Sequence, residues 1–215
     1  MKRPPDIIII ITVIFLFANS SPNAEIDIGY ARQSGWSDNF FLKNPDGWTL
    51  YLAKSLSQKM SIRFSFSRLE NNFTYIGVLT FGLIPPDVVL TRELVHSDLN
   101  VKMYEFSLYH ALVEGSKMRL DLGGTFGFAD YNLNLKGQTT GKQRNNLENA
   151  MLVSYGIDVT VKKFIFTTLA LRIGYQYRNM KTGVFVSDAF VPFRDVSYSN
   201  IRVDILARFN AGQLP

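Results

Sequence analysis

Ser61-Ile62-Arg63-Phe64-Ser65-Phe66-Ser67 alternates strictly between apolar and polar side chains. In an extended chain successive side chains point to opposite faces, so Ile62, Phe64 and Phe66 share one face and Ser61, Arg63, Ser65 and Ser67 the other. A helical period would mix the two sets, so the segment reads as a strand. The same dyad recurs further along. Tyr104, Phe106 and Leu108 oppose Met103, Glu105, Ser107 and Tyr109; Met118, Leu120, Leu122, Phe126 and Phe128 oppose Arg119, Asp121, Gly123, Thr125 and Gly127. Leu169, Leu171, Ile173, Tyr175 and Tyr177 oppose Thr168, Ala170, Arg172, Gly174, Gln176 and Arg178, and Ile201, Val203, Ile205 and Phe209 oppose Asn200, Arg202, Asp204 and Arg208.

Extending this pattern places eight strands at about 25–33, 47–57, 60–70, 100–113, 117–130, 147–161, 164–178 and 197–209. Tight turns are expected at Ser57-Gln58-Lys59-Met60, Glu114-Gly115-Ser116-Lys117 and Val161-Lys162-Lys163-Phe164, and long loops at about 34–46, 70–99, 131–146 and 179–196. Alternating short and long connections, with an even strand count, are the pattern of an antiparallel up-and-down barrel spanning a bacterial outer membrane. Both termini then lie on the periplasmic side. A soluble sandwich would show the same alternation. The long strands favour the barrel, as do small, glycine-bearing polar faces and aromatic residues near the strand ends (Tyr30, Trp48, Tyr104, Phe128, Phe164, Tyr175, Tyr177). One stretch, Phe73 to Ile84, is apolar on both faces and ends at Pro85-Pro86. Crossings by 73–83 and 88–96 would make ten strands; otherwise the stretch packs over the barrel mouth or extends a hairpin beyond the membrane.

Composition agrees with this class. The chain has 215 residues, is 47% hydrophobic and 19% charged, and contains no cysteine, which excludes a disulfide scaffold and any Cys-based zinc site. Mean hydropathy is only +0.03, too low for a bundle of membrane helices. The net charge of +5 is scattered along the chain, without the one-sided basic stripe that nucleic-acid binding requires. Met1-Lys2-Arg3, the apolar run Ile7 to Phe17 and the small residues up to Ala24 read as a secretory signal peptide, since the run is far shorter than the roughly 20 residues of a spanning helix. Cleavage after Ser20 or after Ala24 fits; the latter gives a signal peptide at 1–24 and a barrel domain at 25–215.

The exported start, the eight amphipathic strands and the closing strand Ile201-Arg202-Val203-Asp204-Ile205-Leu206-Ala207-Arg208-Phe209 together resemble the small outer-membrane barrels of the opacity-protein, OmpX and OmpA-transmembrane-domain type. The resemblance covers essentially the whole mature chain and is one of pattern. It implies an outer-membrane location, contact with outer-membrane lipid and lipopolysaccharide, a monomeric barrel, and Phe209 as the terminal signal read by the barrel-assembly machinery. Ala207 stands where that family commonly has an aromatic, and six residues follow Phe209.

Among candidate functional residues, Asp27, Arg63, Glu105, Arg119, Asp121, Asp158, Arg172, Arg202, Asp204 and Arg208 would share the lumen. An eight-stranded barrel is just wide enough for side chains to fill, so these charges are expected to pair as a structural network plugging it. The alternative is a narrow pore for small solutes. Lys136, Lys142 and Arg144 form a basic loop that could meet lipopolysaccharide phosphates. Gly137-Gln138-Thr139-Thr140-Gly141-Lys142-Gln143 falls one residue short of a phosphate-binding Walker loop and is read as a loop tip. No cofactor or metal is expected. His96-Ser97-Asp98 gathers three catalytic residue types, but sequence neighbours point in different directions, whereas triads assemble from distant positions. The lipid A deacylase barrels carry a late His and Ser, and Tyr177-Arg178-Asn179-Met180-Lys181-Thr182 has no His. The expected role is therefore structural or exercised by the extracellular loops (envelope integrity, adhesion, lipopolysaccharide contact), with a lipid A-modifying enzyme as the third possibility.

Overall fold

The computed structural model describes residues 25–38, 40–42, 44–77, 92–141, 143–161, 169–182 and 196–210. The expected signal peptide, Lys142 and the expected turn at 161–164 beyond Val161 lie outside them, as do residues 78–84 of the doubly apolar stretch and 85–91 after it. Eight antiparallel strands form a closed ring in chain order: β1 (Glu25–Ser37), β2 (Asp46–Ser55), β3 (Met60–Gly77), β4 (Glu93–Glu114), β5 (Met118–Gly137), β6 (Gln143–Val161), β7 (Leu169–Thr182) and β8 (Val196–Asn210). Closure comes from β1 against β8, with Tyr30 opposite Ile205 and Ile26 opposite Phe209. The strand order closes at eight, so the ten-strand alternative does not hold.

Every expected strand is present, but several are much longer than expected. β3 runs on to Gly77, β4 begins at Glu93, β5 reaches Gly137 and β6 begins at Gln143. The segment expected to be a loop at 131–146 is therefore mostly ladder, with Lys136 paired to Gln143. Likewise Phe73 to Gly77 extends β3 against Ser97 to Glu93 of β4, the hairpin-extension reading of that stretch.

The overshoot has one physical cause, visible along each of these strands. On β5 the outward residues Leu122, Phe126 and Phe128 are apolar and the inward Asp121 and Thr125 polar; past Ala129 the pleat continues while the polarity reverses, with Tyr131, Leu133 and Leu135 buried inside. β4 reverses at Met103-Tyr104: Glu105, Ser107 and Tyr109 point inward towards the chain termini, and Met103, Val101, Leu99 and Val95 point inward beyond. β3 reverses between Ser67 and Leu69, and β6 between Ser154 and Leu152. The molecule thus has a terminal half, apolar outside and charged inside, and a distal half with an apolar core and a polar exterior.

In the terminal half Met118 to Phe128 marks the height of the apolar exterior. The ten steps between them, rising ~3.3 Å each at a tilt of about 40°, span roughly 25 Å, the height of an outer-membrane hydrocarbon band. Aromatic rings edge it: Trp48 and Phe66 lie 5.5 Å apart, Phe66 and Tyr104 5.2 Å, and Tyr155 and Tyr177 5.2 Å. Two glycines admit rings into the interior. A Cβ at Gly29 would overlap the Tyr51 ring and one at Gly123 the Tyr109 ring, each on the neighbouring strand.

Candidate functional site

The lumen charges fall into groups stacked along the barrel. At the terminal end Arg208 grips Asp27 with two bonds of 2.7 and 2.9 Å, and also reaches Glu25 at 3.1 Å. Near the β4–β5 turn Arg119 donates to Asp121 at 2.7 Å and lies 3.7 Å from Glu114. In the middle, Asp158 accepts from Arg63 at 2.9 Å and from Arg202 at 2.9 and 3.1 Å, while Arg172 pairs with Asp204. The Arg63 guanidinium lies 4.1 Å from the Tyr109 ring centroid and 5.1 Å from that of Tyr51; Arg172 covers Tyr51 at 4.4 Å. These arginines are thus held by carboxylates and by ring faces at once.

The uppermost group centres on Glu105. Its carboxylate accepts 2.8 and 2.9 Å bonds from Arg178, and further bonds from Gln176 at 3.2 Å, Ser67 at 3.3 Å and Ser65 at 3.5 Å. Arg178 continues to Asn200 at 2.9 Å, and Asn200 to Gln33 at 2.8 Å. Arg178 is fully buried. The period-two pattern places it on the polar face of its strand, opposite in parity to Tyr177, but the expected lumen set does not include it. Directly beyond Glu105 the apolar distal core begins: Met103, Val101, Leu99, Leu133, Leu152 and Tyr198, closed over by Phe41 and Leu42 of a single 3-10 turn at Phe40–Leu42. Phe73 and Tyr75 pack against it, their rings 5.1 and 5.2 Å from Phe40.

The expected loop features take other forms. Thr139 and Thr140 donate their backbone N–H groups to Glu93 at 3.0 and 2.9 Å, and the Thr140 hydroxyl adds a 2.6 Å bond. The anion seat of the Gly137–Gly141 tip is therefore filled by the protein's own carboxylate. Lys136 is exposed on β5, pointing outward, and Arg144 sits on β6 opposite Leu135. These two are therefore strand residues. His96 and Asp98 project outward, whereas Ser97 between them is buried inside, so the three do not converge. Phe209 lies on the outward, lipid-side parity of β8, half-buried.

The distal outer face forms a polar grid set by register. Arg68, Lys102 and Asp130 are cross-strand neighbours, each the first outward residue past the aromatic edge of its strand (Phe66, Tyr104, Phe128). Beyond them come Glu70, Asn100 and Asn132, then Asn72, Asp98, Asn134 and Asn145. These side chains line an open groove of about 610 Å³. Arg68 pairs with Glu70 at 2.8 Å and Asn100 donates to Glu70 at 3.4 Å.

No protein-family model and no curated protein matches the sequence. Among solved structures the chain is similar to the attachment invasion locus protein Ail of Yersinia pestis, with a TM-score of 0.52 at 16% identity over 86% of this chain and 97% of that one. It is similar to Neisserial surface protein A with a TM-score of 0.53 at 11% identity, covering 87% and 97%. With a major outer membrane protein of Thermus thermophilus the TM-score is 0.56 at 10% identity, covering 86% and 99%. At such identities the likeness is one of fold. The chain has the fold of the small bacterial outer-membrane β-barrels.

Proposed function

We propose that this protein is a non-conducting outer-membrane barrel, exported by its N-terminal segment, that anchors and presents a folded extracellular extension. The carrying observation is the reversal of polarity along β3 to β6. A lumen filled with paired charges is followed by an apolar core rather than by a water-filled mouth. Isolated ions cross neither, because the charges are already committed to one another and the core offers no polar partner. The work of the molecule then falls to its outer and distal surfaces: envelope integrity, adhesion and contact with lipopolysaccharide. Lys136 on the exposed face and the basic residues Arg68 and Lys102 at the aromatic edge favour anionic lipid headgroups as neighbours. We read the protein as non-enzymatic, a monomer, and inserted by the barrel-assembly machinery through Phe209.

Planar-bilayer recording of the purified barrel tests this reading. A silent bilayer is expected with wild-type protein. Steady single-channel steps that vanish on neutralising Arg172 and Glu105 would establish the narrow-pore alternative instead. Lipid A acylation profiles of cells with and without the protein are expected to be identical, and a lost or gained acyl chain would point to the enzyme.

A further inference from the structure

We propose that the groove on the outward face of the distal β3–β6 sheet binds carbohydrate, and that its occupant is the core oligosaccharide of the lipopolysaccharide surrounding the barrel. The proposal deepens the lipopolysaccharide contact named above and rests on that reading.

Residue choice is the first argument. Asn is depleted in strands because its amide competes for the backbone and packs poorly on a pleated surface. A merely solvated strand face is served better by Thr or Lys. Here Asn72, Asn100, Asn132 and Asn134 project from three adjacent strands to one side of one sheet, and all line the same groove. Each amide offers two donors and an acceptor within one rigid plane, the complement of neighbouring sugar hydroxyls that both donate and accept.

Spacing and place supply the second argument. Outward side chains repeat about every 7 Å along a strand and about 4.8 Å between strands, a lattice on the scale of single sugar rings. The lattice begins where the aromatic edge of the lipid-facing band ends, and so is continuous with the membrane surface. Arg68 and Lys102 stand at its foot, the height at which phosphates meet the sugar layer; the amides stand above, where hydroxyls predominate. The bonds from Arg68 and Asn100 to Glu70 hold part of the lattice in place before a ligand arrives, which lowers the ordering cost of binding.

The test titrates the folded barrel in detergent with delipidated core oligosaccharide, followed by NMR shifts and calorimetry. It compares wild type with the triple variant Asn100→Thr, Asn132→Thr, Asn134→Thr, with Asn134→Thr alone and with Lys102→Gln. Threonine suits a strand and spares the fold. Heat-modifiable migration on gels reports folding. Saturable binding is expected in wild type, weakened at least ~10-fold in the triple variant and ~3-fold in the single one, the loss of one or two hydrogen bonds' worth of affinity. Absence of saturable binding to folded wild type, or equal affinity in the triple variant, would overturn the proposal. So would a loss confined to Lys102→Gln, which would make the contact purely electrostatic. A chain that fails to form a heat-modifiable barrel in lipid would instead overturn the outer-membrane reading itself.

Discussion

Leu108 and Asn100 stand on the same face of the same strand, both pointing out of the barrel, yet one belongs to an apolar exterior and the other to a polar one. On the opposite face Glu105 and Val101 make the reverse pair: the first lies in a ring of arginine, glutamine and serine, the second in an apolar core. The terminal and distal halves share a pleat and a continuous hydrogen-bond ladder. On the outer-membrane reading proposed above they differ in solvent. In hydrocarbon an apolar exterior is free and the lumen takes the polar groups. Above the membrane the hydrophobic effect returns, and burying apolar side chains inside again lowers the free energy. A single strand therefore carries two opposite inside-out codes, joined where two apolar residues adjoin, as at Met103-Tyr104 and Phe128-Ala129.

The difference can be attacked from the charged side first. Arg178→Ala leaves the Glu105 carboxylate buried among neutral groups and is expected to cost about 3–5 kcal/mol in urea unfolding of the barrel in lipid vesicles. Replacing both Arg178 and Glu105 by Leu should recover most of that loss, since the distal core already continues from this level. If the double variant is as unstable as the single one, the two inner regions are not interchangeable at their boundary.

Leu133→Ala empties part of the distal core and should destabilise it by about 2–5 kcal/mol. The loss is expected to be local. Amide exchange should accelerate on distal β4 and β5 while the terminal halves of the same strands keep their protection. Uniform acceleration would show instead that the two halves unfold as one unit.

Arginine scanning of β4 compares the outer faces directly. Leu108→Arg should cost about 2–4 kcal/mol in lipid, as a charge set against hydrocarbon. Asn100→Arg, at the same parity, should stay within about 0.5 kcal/mol, since its neighbours are water, Glu70 and Asp98. Equal costs would place the membrane boundary elsewhere on the strand. The smallest effect is expected for Lys136→Gln: no measurable change in stability, with a salt-dependent fall in binding to vesicles containing lipopolysaccharide as the readout.

Alternation alone located all eight strands and the lumen residues Arg63, Asp158, Arg172, Arg202 and Asp204, because period two survives any environment. The strand ends were read wrongly for a reason contained in the same rule. The expected ends at 70, 100 and 130 fall within a few residues of polarity reversals inside longer strands, whereas the expected start at 147 already lies beyond the β6 reversal between Ser154 and Leu152. Leu133 with Leu135, and Leu99 with Val101 and Met103, still alternate; the signal was legible in the opposite phase. Arg178 is on the polar face of its expected strand, but its pairing with Glu105, 73 residues away in sequence, is set by barrel closure.

What this chain's sequence determines by itself is a strand-built protein whose strands carry one apolar and one polar face, because side-chain parity is a local property. Which carboxylate meets which guanidinium, that the anion seat at Thr139 and Thr140 is taken by Glu93, and that five asparagines from four strands face one groove were decided by tertiary structure. Those facts depend on register and closure, which bring together residues that no local pattern relates.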